Sequence, residues 1–131
     1  METHLQNVPT PAQTAARFVE FVRTYRPPQN LFAEGFSALG IVPYAMFRLP
    51  DLDAFVAELR EESEAGSERL DDVRVDATER GFVASFLQTM PSGAVYKILV
   101  RADTDDHGRI ATLDWFCSGA LRHVHATEVV A

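Results

Sequence analysis

The chain has 131 residues, 47% of them hydrophobic and 24% charged, and its net charge at neutral pH is −7. This length and composition are typical of one globular domain that buries its own core. The acidic balance argues against nucleic acid and anionic membranes as partners, because both attract clustered lysine and arginine side chains. No apolar run approaches the roughly 20 residues that cross a bilayer.

Two features predict a cytoplasmic location. The single cysteine, Cys117, cannot form an internal disulfide. The N-terminal stretch lacks the basic start and apolar run of a signal peptide. We expect residues 1–9 to form a flexible tail, residues 10–119 a single domain and residues 120–131 a C-terminal tail.

A first helix is predicted from Thr10 onward. A threonine hydroxyl can cap the first turn, and Pro11 needs no hydrogen bond at the first helical position. Pro27-Pro28 predicts the end of the helix. Its apolar stripe, which we interpret as core, consists of Ala15, Phe18, Val19 and Val22.

The middle of the chain predicts a short hairpin and a second helix. Residues 29–34 favour a short helical turn, and residues 36–42 and 44–49 favour two strands separated by Pro43. Asp51 is a favourable N-cap for the second helix, and Gly66 is expected to end it. Near that end lie three acidic residues that we interpret as a solvated face: Glu61, Glu62 and Glu64.

From Leu70 onward apolar residues alternate with polar ones, which predicts strands. Four are expected, joined by tight turns in an antiparallel meander: residues 70–79, 82–90, 94–102 and 109–117. The predicted fold is α+β, with a cone-shaped, curved antiparallel sheet wrapped around the N-terminal helices. A pocket for a small ligand is expected at the open end of the cone.

Four stretches of the chain resemble a known superfamily. They are Ala16–Val19, Leu31–Glu34, Pro50–Leu59, and Asp106–Ile110 leading into Asp114-Trp115-Phe116. Their order and spacing resemble the nuclear transport factor 2-like superfamily, which includes SnoaL-like polyketide cyclases, ketosteroid isomerases and limonene-epoxide hydrolases. The resemblance spans about residues 12–119. It implies the cone fold, but this fold hosts enzymes, binding proteins and structural modules alike.

The functional residues of these enzymes match the chain only in part. The two acids and the tyrosine of ketosteroid isomerases fall near Gly40, near Val100 and at Phe18, so their roles are vacant. Asp114-Trp115-Phe116 resembles the Asp-Tyr-Phe of limonene-epoxide hydrolases, but their Arg-x-Asp would fall at Ala84–Phe86, where there is no charge. SnoaL-like cyclases resemble the chain best, although in them the tryptophan precedes the pocket acid instead of following it.

Asp114 is the candidate catalytic residue. Alternation places Asp114 and Phe116 on one face of the last strand and Leu113, Trp115 and Cys117 on the other. If the first set faces the pocket, burial would raise the pKa of Asp114 and suit it to proton transfer. If the second set faces inward, Trp115 lines the cavity and Asp114 is exposed. A bulge could exchange the two arrangements, so both remain open.

Several aromatic and polar side chains are candidate substrate-binding residues: Phe18, Tyr44, Ser85, Phe86, Tyr96, Trp115 and Phe116. Lys97 and Arg101 share the strand face opposite Tyr96, and we interpret them as solvent-facing or dimer-facing.

No metal site is predicted. His107, His123 and His125 lack a specified set of partner ligands. The three aspartates between residues 103 and 106 fit a polar hairpin turn better than a calcium loop. Cys117 is interpreted as a core or wall residue and not as a nucleophile.

Two functions follow as hypotheses. The first is a SnoaL-like enzyme without a cofactor, in which Asp114 transfers a proton during cyclisation, isomerisation or hydrolysis of an apolar, polyketide-like substrate. The second is a non-catalytic module of the same fold that binds a hydrophobic ligand or dimerises. In both, a homodimer through the sheet face is expected, because that face must be covered.

Overall fold

The computed structural model describes residues 8–62 and 69–122. Within them, two helices and six strands occur in the order α1 (Pro11–Thr24), β1 (Phe32–Val42), β2 (Ala45–Leu49), α2 (Leu52–Glu62), β3 (Arg69–Ala77), β4 (Gly81–Thr89), β5 (Val95–Thr104) and β6 (Ile110–Leu121). The predicted α+β architecture is confirmed. Neither helix in these residues is long and apolar enough to cross a membrane.

Helix α1 begins as the sequence predicts. The Thr10 Oγ1 atom accepts a hydrogen bond from the Gln13 backbone N–H, and Gln13 Oε1 accepts one from the Thr10 N–H. This reciprocal capping box satisfies two donors that the first turn leaves without partners. The helix ends before Pro27, at Tyr25, whose backbone is left-handed and whose N–H donates to the Phe21 carbonyl.

The expected helical turn at residues 29–34 is wrong, because Phe32–Glu34 belong to β1. Phe32 pairs with Ile110, and the Ile110 N–H donates to the Leu31 carbonyl at 2.8 Å. This pairing with a distant strand overrides the local preference. The predicted hairpin at Pro43 is confirmed, and Asp51 caps α2 by accepting from the Ala54 N–H. The expected helix stop at Gly66 and the residue Glu64 lie outside the described residues.

The six strands form one sheet in the order β2-β1-β6-β5-β4-β3. The meander from β3 to β6 is antiparallel, as predicted. The expectation of a wholly antiparallel sheet is wrong, since β1 and β6 pair in parallel. The mixed sheet is curved and does not close on itself.

The core lies between the inner sheet face and the two helices. Helix α1 contacts β3 and β4, and α2 contacts β1 and β2. Seven phenylalanine rings are buried there among the described residues: Phe18, Phe21, Phe32, Phe36, Phe55, Phe82 and Phe86. Many of these rings meet at tilted or edge-on angles, which aromatic pairs favour.

Candidate ligand-binding site

A bulge at the start of β6 decides which of its side chains point to the inner face of the sheet. Thr104 pairs with Ile110 but Asp103 pairs with Thr112, so Ala111 is an extra residue on β6. Ile110 and Leu113, three residues apart, are therefore both buried. From Leu113 to Cys117 the strand alternates regularly and places Trp115 on the inner face. A second register shift follows, between the pairs Ile98–Cys117 and Tyr96–Ala120.

Asp114 consequently lies on the outer face of the sheet. Its Oδ2 atom accepts hydrogen bonds from Arg101 Nη2 at 2.8 Å and Nε at 3.2 Å, and its side chain is 23% exposed. Arg101 and Asp114 are cross-strand partners of β5 and β6. This corrects the sequence-based hypothesis: the Asp114 carboxylate is not placed to transfer a proton inside the pocket.

A cavity of about 220 Å³ opens where the C-terminal ends of the two helices meet the sheet. It is lined by Tyr25, Leu59, Glu62, Gln88, Met90, Tyr96, Ile98, Trp115 and Cys117. A smaller pocket beside it shares Leu59, Glu62, Trp115 and Cys117, and is also lined by Glu58 and by residues of β1 and β2. Trp115 is thus one of four residues that line both a larger and a smaller compartment.

Two buried side chains with polar atoms, those of Gln88 and Tyr25, lie at the cavity wall. Gln88 follows Phe82, Ala84 and Phe86 on the inner face of β4 and is only 4% exposed. Its Nε2 atom donates to the Tyr25 hydroxyl at 2.8 Å, which satisfies a donor that would be costly to bury alone. Arg60 Nη2 donates to the Tyr25 carbonyl at 2.9 Å and so links α2 to the end of α1.

Glu62 is the acidic group of the cavity. It is the last residue of α2 and lies one turn after Glu58, so both carboxyls occupy the same side of the helix. Loss of water around the carboxyl is the main reason that the pKa of Glu62 is raised to about 7. A hydrogen bond with Glu58 and the negative charges of Glu58 and Glu61 raise it further. The sequence-based view of Glu62 as part of a solvated face is therefore incomplete: although exposed, it lines the cavity.

Cys117 faces the same cavity from β6. Burial raises the pKa of its thiol, a backbone hydrogen bond at Gly119 opposes this, and the nearby charge of Glu62 raises the pKa again. The thiol form is thus favoured at neutral pH, as expected for a wall residue and not for a nucleophile.

The chain is similar to known proteins in structure but not in sequence. No protein-family model and no curated protein matches the chain in sequence. A protein from Sphaerobacter thermophilus matches in structure with a TM-score of 0.59 and 19% identity over 86% of this chain and 96% of that one. A candidate isomerase of the SnoaL-like family from Agrobacterium tumefaciens matches with a TM-score of 0.55 and 15% identity, over 82% of this chain and 99% of that one. A nuclear transport factor 2-like protein of unknown function from Shewanella baltica matches with a TM-score of 0.53 and 10% identity, over 89% of this chain and 98% of that one.

The chain has the nuclear transport factor 2-like fold. The superfamily resemblance seen in the sequence is confirmed at the level of the fold. Identities of 10–19% carry no assignment of activity, so function has to be argued from the cavity itself.

Within the nuclear transport factor 2-like fold, two of the candidate substrate-binding residues, Tyr96 and Trp115, line the cavity. Phe18 and Phe86 are fully buried and pack against Trp115, with ring centroids 6.4 and 6.1 Å away. They support the cavity wall without lining it.

The other three candidates lie elsewhere. Tyr44 is 98% exposed in the turn between β1 and β2. Ser85 alternates with buried Ala84 and Phe86, and Phe116 alternates with Trp115, so both occupy the outer face of the sheet. These three placements correct the sequence-based assignment to the pocket.

Three of the cavity residues that were not among the candidate site residues carry polar groups: Tyr25, Glu62 and Gln88. Gln88 had a detectable signal, because it continues the buried alternation of β4. Glu62 lies three residues after Leu59 and so extends the apolar stripe of α2. Tyr25 lies three residues after Val22 and so continues the apolar stripe of α1, but its final placement depends on the left-handed backbone that ends this helix.

The described residues contain no group of three or more histidine, cysteine, aspartate or glutamate side chains arranged to hold a metal ion. Asp105 instead organises the turn between β5 and β6, where its Oδ1 atom accepts from the backbone N–H groups of His107 and Arg109. His123 and His125 lie outside the described residues.

Proposed function

We propose that the protein binds a small, largely apolar molecule in the cavity beside Trp115. The observation that carries this proposal is the cavity itself, whose walls combine apolar and aromatic side chains with a few polar groups. Ligand sites typically have this composition. The volume of about 220 Å³ lies below the roughly 300 Å³ of common drug-sized pockets, which favours a smaller ligand.

Trp115 is the only tryptophan of the chain and therefore reports on its own cavity. A set of small molecules would be titrated while Trp115 fluorescence and binding heat are measured. Ile98→Phe would fill the cavity from β5, and we expect it to weaken binding at least about tenfold by excluding ligand volume.

Leu99→Phe is the matched control, because the next residue of β5 is exposed on the opposite face. Circular dichroism would establish that both variants are folded. Equal binding by Ile98→Phe, or no binding of any compound by the wild-type protein, would contradict the proposal.

A second candidate function, acid–base catalysis on the bound molecule, is favoured by Glu62. A carboxyl whose pKa is about 7 can exchange protons near neutral pH. Glu62 would then take the role that the sequence suggested for Asp114, in an isomerisation, cyclisation or hydrolysis. For any substrate found, Glu62→Gln should lower kcat roughly 10²-fold or more, whereas Asp114→Asn should leave it unchanged. If Asp114→Asn lowered kcat and Glu62→Gln did not, Asp114 would again be the candidate catalytic residue.

We also propose that two copies pair through the outer face of the sheet. Leu99 and Phe116 are direct partners of β5 and β6 and are 42% and 37% exposed. The neighbouring pair of Arg101 and Asp114 supplies one cation and one anion. In a two-fold arrangement the same patch faces itself, so an apolar centre beside opposite charges is self-complementary.

A further inference from the structure

The cavity has three aromatic side chains in its wall. Trp115 comes from β6, Tyr96 from β5, and Tyr25 from the residue that follows α1. The rings of tryptophan and tyrosine attract cations through the negative charge of their faces, most strongly where water is excluded. Three elements of the fold thus bring together side chains that suit a positively charged group.

The charged side chains that line the cavity, within the part of the chain that the structure describes, are acidic. Among the described residues that line the two compartments, Glu58 and Glu62 are acidic and none is lysine, arginine or histidine. The nearby cation Arg60 is directed to the Tyr25 carbonyl. The remaining titratable groups that face Glu62 are Glu61 on the same helix, Cys117 on β6 and the two tyrosines.

This arrangement disfavours an anionic ligand and leaves the Glu62 charge without a compensating cation among the described residues that line the cavity. The raised pKa of Glu62 expresses the same imbalance, because its charged form loses water and meets other negative groups. A cation in the cavity would favour the ionised carboxylate and lower that pKa.

We propose that the ligand is a small organic cation: an ammonium group carrying an apolar substituent, with its charge held by Glu62 among Trp115, Tyr96 and Tyr25. The proposal rests on the proposed binding function and specifies the chemical class of the ligand. The apolar substituent would lie against Leu59, Met90 and Ile98.

Choline and 3,3-dimethylbutan-1-ol provide the test, because the two molecules have the same shape and differ only in the charged nitrogen. Both would be titrated into the full chain at pH 8 while Trp115 fluorescence and binding heat are recorded. We expect choline to bind roughly tenfold more tightly than the alcohol, as cation–aromatic attraction is worth about 1–2 kcal/mol at a partly desolvated site.

Glu62→Gln removes the charge and keeps the size of the side chain. It should weaken choline binding about fivefold and leave the alcohol within about twofold. Glu61→Gln is the matched control, because it removes the same charge from the adjacent residue, which does not line the cavity. Choline carries a permanent charge, so its affinity should rise from pH 6 to pH 8 as Glu62 ionises. The alcohol and the Glu62→Gln variant should show no such rise.

Four results would overturn the cation proposal. Equal affinity for choline and the alcohol would leave a ligand-binding cavity without charge selection. Unchanged choline affinity in Glu62→Gln, or an equal loss in Glu61→Gln, would remove Glu62 as the recognising group. Failure of both probes and of the wider compound set would overturn the proposed function as well.

Discussion

Asp114 and Trp115 are adjacent in the sequence, yet Asp114 pairs with Arg101 on the outer face of the sheet and Trp115 lines the cavity on the inner face. The difference depends on one extra residue, Ala111, at the start of β6. A single inserted residue exchanges the two faces of a strand because side chains alternate with a period of two. For this reason the residue with the best local pattern for catalysis lies outside the cavity. The acid at the cavity wall is Glu62, which comes from α2.

At the residue scale, we predict that Glu62 makes stability depend on pH. Its pKa is about 7 in the folded protein and 4.5 for the unperturbed side chain, so the folded state binds the proton more tightly. The free energy of unfolding therefore decreases as pH rises from about 4.5 to about 7. Glu62→Gln should be more stable than the wild-type protein at pH 8 and lose this advantage near pH 4.5.

Urea unfolding at both pH values measures this difference. Glu61→Gln serves as the control for the overall change in charge. A constant stability difference between Glu62→Gln and wild type across this range would show that Glu62 does not titrate as described.

At the element scale, the pairing of β4 with β5 depends on a close approach at Gly81. A Cβ atom at this position would collide with the backbone carbonyl oxygen of Ala102 on β5. The backbone cannot yield without separating the two strands. We expect Gly81→Ala to lower the free energy of unfolding by about 1–3 kcal/mol, the usual cost of overpacking.

Gly35→Ala is the control for that prediction, because a Cβ at Gly35 on β1 has no atom within 4 Å. It should change stability by less than about 1 kcal/mol, and in the stabilising direction through reduced freedom of the unfolded chain. Urea unfolding of both variants gives the comparison. Equal effects of the two substitutions would show that the β4–β5 contact is not tight.

At the scale of the whole molecule, the outer sheet face is predicted to hold two copies together. Phe116→Glu would place a negative charge at the centre of the proposed interface, next to Asp114, so we expect it to convert a dimer into a monomer. Sedimentation velocity over a range of concentrations measures the mass. Val73→Glu, at an exposed position of the edge strand β3, is a control two strands away from Leu99. A wild-type protein that is monomeric at all concentrations would refute the dimer.

Much of this architecture followed from the sequence. The α1 cap at Thr10 and Pro11, the hairpin at Pro43 and the meander of β3 to β6 were predictable, because capping, turn chemistry and hydrophobic period are local properties. The resemblance of four short segments to the nuclear transport factor 2-like superfamily, in order and spacing, then predicted the fold.

Only the tertiary structure decided the site. The parallel pairing of β1 with β6, the bulge at Ala111 and the approach of Glu62 to Tyr25, Tyr96 and Trp115 all join residues far apart in the chain. Local patterns carry no information about such contacts. The sequence by itself therefore determined the helices and most of the strands, apart from the start of β1. Long-range packing determined which carboxylate faces the cavity, because the face on which a side chain lies depends on strand register, and register depends on the partner strands.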